Sequence, residues 1–150
     1  MPLQTPNPAD TPAEAYAHWH RRWCEILSTE YNQQLLKAGL AGKSFTERVP
    51  DAPDGKGYFS YAIDSLGQVD FIEGEGQAVA EYDSYALGLR MLGDPSIDGG
   101  EQIATGQFRI LSEAESWQAL MSLLPILRDA CHRAIADTEA TLGIVLAKYW

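Results

Sequence analysis

The sequence predicts an α+β fold: a single domain with a mostly antiparallel sheet of about five strands, covered by N-terminal and C-terminal helices. Three observations lead there. Between residues 44 and 82, short stretches alternate apolar and polar side chains and are separated by clusters of Gly, Pro and Asp, the pattern of strands joined by turns. Towards both ends of the chain, apolar residues recur at helical spacing instead. The 150 residues, 45% of them apolar, contain no internal repeat and no linker, so one core accounts for them.

Residues 1–10 hold Pro2, Pro6 and Pro8 and no basic-then-apolar pattern, so they read as a disordered tail, neither signal nor anchor. The domain is expected over residues 11–150. Thr11 suits the N-cap of a first helix, with Pro12 at the first helical position and Glu14 closing a capping box. That helix should run to about Ala38 and stop at Gly39. Its stripe of Tyr16, Trp19, Trp23, Ile26, Leu27, Tyr31 and Leu35 is rich in aromatics, as befits a helix that packs on a sheet.

Ser44 to Val49 alternates, with Phe45 and Val49 on one side and Thr46 and Arg48 on the other. After a turn-rich loop, Tyr58 to Asp64 places Phe59, Tyr61 and Ile63 on one face. Ser65-Leu66-Gly67 turns the chain into Gln68 to Glu73, which carries Val69 and Phe71. Short connections imply an antiparallel meander. Gly74-Glu75-Gly76 reads as another hairpin turn before a fourth strand, Gln77 to Tyr82.

Asp83 or Ser84 then caps a short helix bearing Tyr85, Leu87, Leu89, Met91 and Leu92, stopped by Gly93-Asp94-Pro95. A Gly-rich loop leads to a strand, Gly106 to Leu111, with Phe108 and Ile110 opposite Gln107 and Arg109. Ser112-Glu113-Ala114-Glu115 reads as a capping box ahead of an apolar stripe of Trp117, Leu120, Met121, Leu124 and Leu127. Pro125 should kink or break that helix, and a last helix is expected from about Ile126 to Tyr149.

The formal net charge of −10 excludes whole classes of partner. Nucleic-acid affinity needs Lys and Arg to release counterions from phosphate, and docking on an anionic membrane needs a basic cluster; the chain's 11 Lys and Arg are outnumbered by 21 Asp and Glu and form no such cluster. The acidity serves solubility or a basic protein partner. No apolar run reaches transmembrane length, and a cytoplasmic protein without stable membrane insertion is expected. Cys24 and Cys131 read as buried free thiols, with a disulfide as the alternative.

Motifs that suggest chemistry fall away on spacing. Asp94-Pro95-Ser96-Ile97-Asp98-Gly99 starts like a calcium loop but has Thr105 where the bidentate Glu belongs. His18 and His20 are two residues apart on a helix and cannot share a metal; with His132 they read as surface or helix-rim histidines. Gly74-Glu75-Gly76 lacks the third Gly of a dinucleotide loop. Neither a metal nor a cofactor is expected, and no catalytic group of nucleophile, base and acid stands out. The apolar residues remain: Phe59, Tyr61, Ile63, Phe71, Leu89, Leu92, Phe108, Ile110, Trp117, Leu120 and Leu124 should face the space between sheet and helices. Periodicity alone serves a filled core and a cavity wall equally well.

The order of elements over about Leu40 to Leu127 resembles the sterol carrier protein type 2 (SCP2-like) lipid-binding family. The residues that carry the resemblance are Tyr85 to Gly93, a short helix ending in Gly, then Gly106-Gln107-Phe108-Arg109-Ile110, then the apolar helix Trp117 to Leu127. Leu111-Ser112 stands where the family commonly has Gly-Asp. The resemblance implies an apolar tunnel between sheet and helices for a fatty acyl, sterol, isoprenoid or quinone-like ligand. Leu89, Leu92, Phe108, Ile110, Trp117, Leu120 and Leu124 would line its wall. Burial alone would drive binding: at about 25 cal/mol per Å², roughly 300 Å² of apolar ligand surface is worth roughly 7 kcal/mol before ordering costs.

Two other readings fit the same residues. An acidic interaction module of the immunity or antitoxin-inhibitor type would need no cavity. An enzyme would draw proton donors from Tyr58, Tyr61, Tyr82 and Tyr85. The terminal helices also offer Trp19, Trp23, Tyr149 and Trp150 as a homodimer interface.

Overall fold

The computed structural model describes residues 11–146. The expected tail over residues 1–10, and Tyr149 and Trp150, lie outside them. Helix α1 spans Ala13–Glu30, with Tyr16, Trp19, Trp23, Ile26 and Leu27 buried along one stripe. Pro12 itself is the N-cap, with no side-chain cap bond, so the helix starts one residue later than the Thr11 cap predicts.

The first helix also ends sooner than expected. Tyr31 leaves helical geometry at φ −126°, and a separate helix α2 follows over Asn32–Lys37. Consecutive hydroxyls explain the break: Ser28 Oγ and Thr29 Oγ1 donate to the carbonyls of Cys24 and Glu25, four residues back. Such back-bonding weakens and bends a helix. The Ser28 hydroxyl also accepts from Val69 N at 2.7 Å, so the end of α1 is tied to the sheet. Gly39 stops α2 at φ +78°, as its position predicts.

The sheet comprises β1 (Ser44–Arg48), β2 (Tyr58–Ile63), β3 (Val69–Phe71), β4 (Ala78–Tyr82) and β5 (Phe108–Ile110), in the order β3-β2-β1-β4-β5. β1, β2 and β3 form the expected antiparallel meander. β4 does not extend it. The chain crosses to the far side of β1, where β4 pairs in parallel, and β5 closes that edge antiparallel to β4. Gly74-Glu75-Gly76 is therefore part of a crossover and not a hairpin. The crossover lies on β1, where Gly76 N and Gln77 N donate to the Thr46 and Ser44 hydroxyls. A Cβ on Gly76 would stand 2.8 Å from Phe45 N, so only glycine lets the two backbones approach.

Helix α3 (Tyr85–Gly93) starts where Ser84 accepts from Leu87 N. The Gly-rich stretch after it is not all loop: α4 occupies Gly99–Ala104, with the Asp98 carboxylate capping Gly100 N. The calcium-like oxygens serve the backbone, since Asp94 Oδ1 likewise accepts from Ser96 N and Ser96 Oγ.

Helix α5 (Ala114–Met121) lacks the predicted capping box. Its N-cap is Glu113, in the left-handed region at φ 53°, with no side-chain cap bond. The Ser112 hydroxyl has been taken by the sheet: it accepts from Val79 N at 2.9 Å and donates to Gln77 O at 2.8 Å. Helix α6 (Leu124–Leu142) begins with Pro125 in its first turn, so the break falls just before the proline as expected. Gly143 ends it at φ 67°, several residues earlier than the sequence suggests.

The helices cover one face of the sheet. Phe45, Phe59, Tyr61 and Phe108 point into the core, where Trp23 of α1 packs against Phe59 and Tyr61, and Trp117 of α5 against Phe45 and Phe108. The opposite face is polar, with Arg48 paired to Glu75, and Arg109 to Glu81 and Asp83. Cys24 and Cys131 are buried free thiols, as predicted, and burial pushes both up. Trp19 and Trp23 are each 2% exposed within one chain, which removes them from any homodimer surface.

Candidate ligand site between sheet and helices

Two small adjoining cavities lie between the inner sheet face and the helices, each of about 30 Å³. The first is bounded by Tyr16, Trp19, His20 and Trp23 of α1, by Phe59 and Tyr82 of the sheet, and by Tyr85, Leu89 and Leu92 of α3. The second lies among Tyr61, Met91, Phe108, Trp117, Leu120, Met121, Leu124 and Leu127. Trp23, Glu47, Tyr82 and Leu92 line both. Each has room for a water molecule or two, against the roughly 300–1,000 Å³ of a typical ligand pocket.

The sequence-predicted lining divides between these spaces. Phe59 and Leu89 border the first, Tyr61, Phe108, Trp117, Leu120 and Leu124 the second, and Leu92 both. Phe71 and Ile110 line neither. Phe71 is 42% exposed on edge strand β3 and borders an open cleft of about 400 Å³ with Tyr16, Phe59, Asp54, Lys56 and Glu73. Ile110 is partly buried on edge strand β5, against the core.

Periodicity of apolar residues did not find the central group. Glu47 sits on β1 between Phe45 and Val49, in register with Phe59 of β2 and Ala80 of β4, so alternation turns it to the inner face. Tyr82 donates to its Oε1 at 2.8 Å, and Tyr61, beside it on the inner face, also lowers the carboxyl's pKa. The residue keeps some accessible surface, but its carboxyl is closely packed round by protein atoms, and that packing governs its ionisation. Burial raises its pKa to about 7 against the opposing effect of the Tyr82 and Tyr61 hydroxyls. The sequence signal was present in Phe45-x-Glu47-x-Val49, a carboxylate in step with the apolar side of a strand.

His20 corrects the rim reading of the histidines. It is buried, stacked among Trp19, Tyr16 and Phe59, with Nδ1 donating to Tyr16 O at 2.8 Å. Desolvation lowers its pKa to about 3, so it is neutral. His18 lies instead beside Thr138, with Nδ1 2.6 Å from Oγ1, and His132 Nε2 donates to Gly93 O. Among the described residues no group of three or more His, Cys, Asp or Glu is placed to hold a metal ion.

No sequence-family profile and no curated protein sequence matches the chain. Solved structures do. A ubiquinone synthesis protein, UbiJ-SCP2, superposes with a TM-score of 0.55 at 18% identity, covering 76% of this chain and 96% of its own. The chain has the SCP2-like fold. A crystal structure of sterol carrier protein 2 matches this SCP2-like chain with a TM-score of 0.52 at 19% identity, over 73% of this chain and 93% of that one. Sterol carrier protein domain 2 of Helicoverpa armigera gives 0.51 at 12% identity, over 84% and 95%. The SCP2-like architecture thus accounts for about three quarters or more of the chain.

Proposed function

We propose that this chain binds or carries an apolar small molecule between the inner sheet face and the helices, by burial and without a covalent step. The observation that carries the reading is the pair of adjoining cavities, walled by aromatic and aliphatic side chains in a sterol-carrier architecture. A fatty acyl, sterol, isoprenoid or quinone-like molecule suits that wall. A role as an accessory module beside a lipid- or quinone-handling enzyme accords with the ubiquinone synthesis protein among the structural neighbours.

The small volume sets the condition for binding. A ligand must enlarge the space, and Leu92, Met121 and Leu124 are the half-buried lining residues whose movement would do so. Among the described residues no helix is long and apolar enough to cross a membrane, consistent with a carrier that takes its cargo from solution or from a surface.

The same volume favours a second reading, an acidic interaction module with a filled core that binds a basic partner. Native mass spectrometry of freshly purified protein, followed by organic extraction, decides between the two. A displaced lipid, sterol or quinone supports the carrier. A clean apo mass, with no uptake of added fatty alcohol, sterol or quinone, rejects it in favour of the interaction module.

A further inference from the structure

The cavity wall is not uniformly apolar, and its polar groups have a consistent chemistry. Glu47 stands between the two spaces with the Tyr82 hydroxyl on its carboxyl and Tyr61 beside it in the second. Neither cavity has a lysine or arginine among its lining residues. The titratable groups around Glu47 from the packed elements include Tyr61 of β2, Tyr82 of β4, Tyr16, His20 and Cys24 of α1, and Cys131 of α6. Burial keeps these six uncharged at neutral pH, His20 included, so none of them offsets a second negative charge.

A second observation shows that the cavity wall also offers hydrogen-bond donors to a ligand's head. Trp19 lines the first cavity and Trp117 the second, and the indole N–H of each is buried without a partner in the protein. Trp23 differs, since its N–H donates to Leu127 O. A buried donor without an acceptor is costly, and a carbonyl or hydroxyl oxygen entering the cavity would relieve that cost.

We propose that Glu47 selects apolar ligands with a neutral, hydrogen-bonding head, an alcohol or a ketone or quinone carbonyl, and rejects those ending in a carboxylate. This rests on the carrier reading above. A neutral head can accept from an indole N–H and exchange hydrogen bonds with the Glu47–tyrosine group. A carboxylate would have to share a low-dielectric space with Glu47 and no cation, an arrangement that drives one of two carboxyls to stay protonated or leave.

The test compares two ligands of the same chain length, dodecanol and dodecanoate, titrated at pH 8 into the intact protein with tryptophan emission and native mass spectrometry as readouts. Dodecanol should bind about tenfold or more tighter than dodecanoate. In Glu47→Gln, which keeps an acceptor for Tyr82, that ratio should shrink through a gain in dodecanoate affinity. Circular dichroism checks that the variant is folded, and Glu47→Met serves in its place if it is not. Dodecanoate binding to the parent as well as dodecanol, or an unchanged ratio in the variant, overturns the selection by Glu47 and leaves the carrier reading standing. Failure of both ligands to bind the parent overturns the selection by Glu47, and the carrier reading falls with it when added sterol and quinone also fail to bind.

Discussion

Glu47, partly accessible, and His20, buried, are ionisable residues of the inner face with opposite consequences for stability. Glu47 has a folded pKa of about 7, above its ordinary value of 4.5. As pH rises from 4.5 to about 7 the unfolded chain loses this proton while the folded one keeps it, so the folded state loses stability across that window. His20 has a folded pKa of about 3, below its ordinary 6.5, so stability falls as pH drops from 6.5 towards 3. Between about pH 4.5 and 6.5 the two effects oppose each other and flatten the parent's profile. Glu47→Gln should unmask the histidine: urea unfolding from pH 4 to 8 should show a variant that gains stability on the parent, by about 3 kcal/mol at most above pH 7 and by nothing near pH 4. His20→Phe should show the converse, holding its stability better than the parent as pH falls below 6.5. Parallel profiles for parent and variant would mean that these groups ionise as they do in water.

Elements in this fold are placed by what their ends must satisfy. The Ser112 hydroxyl illustrates it, since it sits in a sequence that spells a helix cap yet serves Val79 N on β4 and Gln77 O just before that strand. Ser112→Ala should therefore cost about 1–2 kcal/mol by orphaning a backbone donor of the sheet. Glu115→Ala, at the position the capping box would need, should stay within about 0.5 kcal/mol of the parent. Urea denaturation of the two variants separates the alternatives; equal losses would restore the cap. Gly76 is the matching case on the crossover. Gly76→Ala must push a methyl group into the backbone of Ser44 and Phe45 and should cost about 1–3 kcal/mol by the same measurement.

At the scale of the whole molecule, the question is how a nearly filled interior opens. Leu92 borders both cavities from α3 and is only partly buried, so its side chain is placed to act as a partition that a ligand displaces. Leu92→Trp should fill that space and lower dodecanol uptake by about tenfold while circular dichroism shows the fold retained. Unchanged uptake would place the ligand elsewhere, with the open cleft beside Phe71 as the next region to probe.

Much of this architecture is legible along the chain because it depends on local period. Alternation in Phe59-x-Tyr61-x-Ile63 and the helical spacing of Trp19, Trp23 and Ile26 each specify which side of an element is apolar, whatever it packs against. The meander, the Ser84 cap and the stop at Gly39 follow from neighbours within a few residues, and so do the buried thiols from their place on apolar stripes. Partner choice is different, because it compares residues far apart in sequence. That β4 crosses to lie parallel to β1, that Ser112 serves the sheet before the helix, and that His20 stacks inside an aromatic cluster all depend on which groups are brought within hydrogen-bond or van der Waals reach. The sequence by itself determined an α+β domain with one apolar sheet face and helices to cover it. Tertiary structure alone decided that Glu47 is enclosed between two cavities with Tyr61 and Tyr82, because burial and hydrogen bonding come from strands and helices that meet only once the chain has folded.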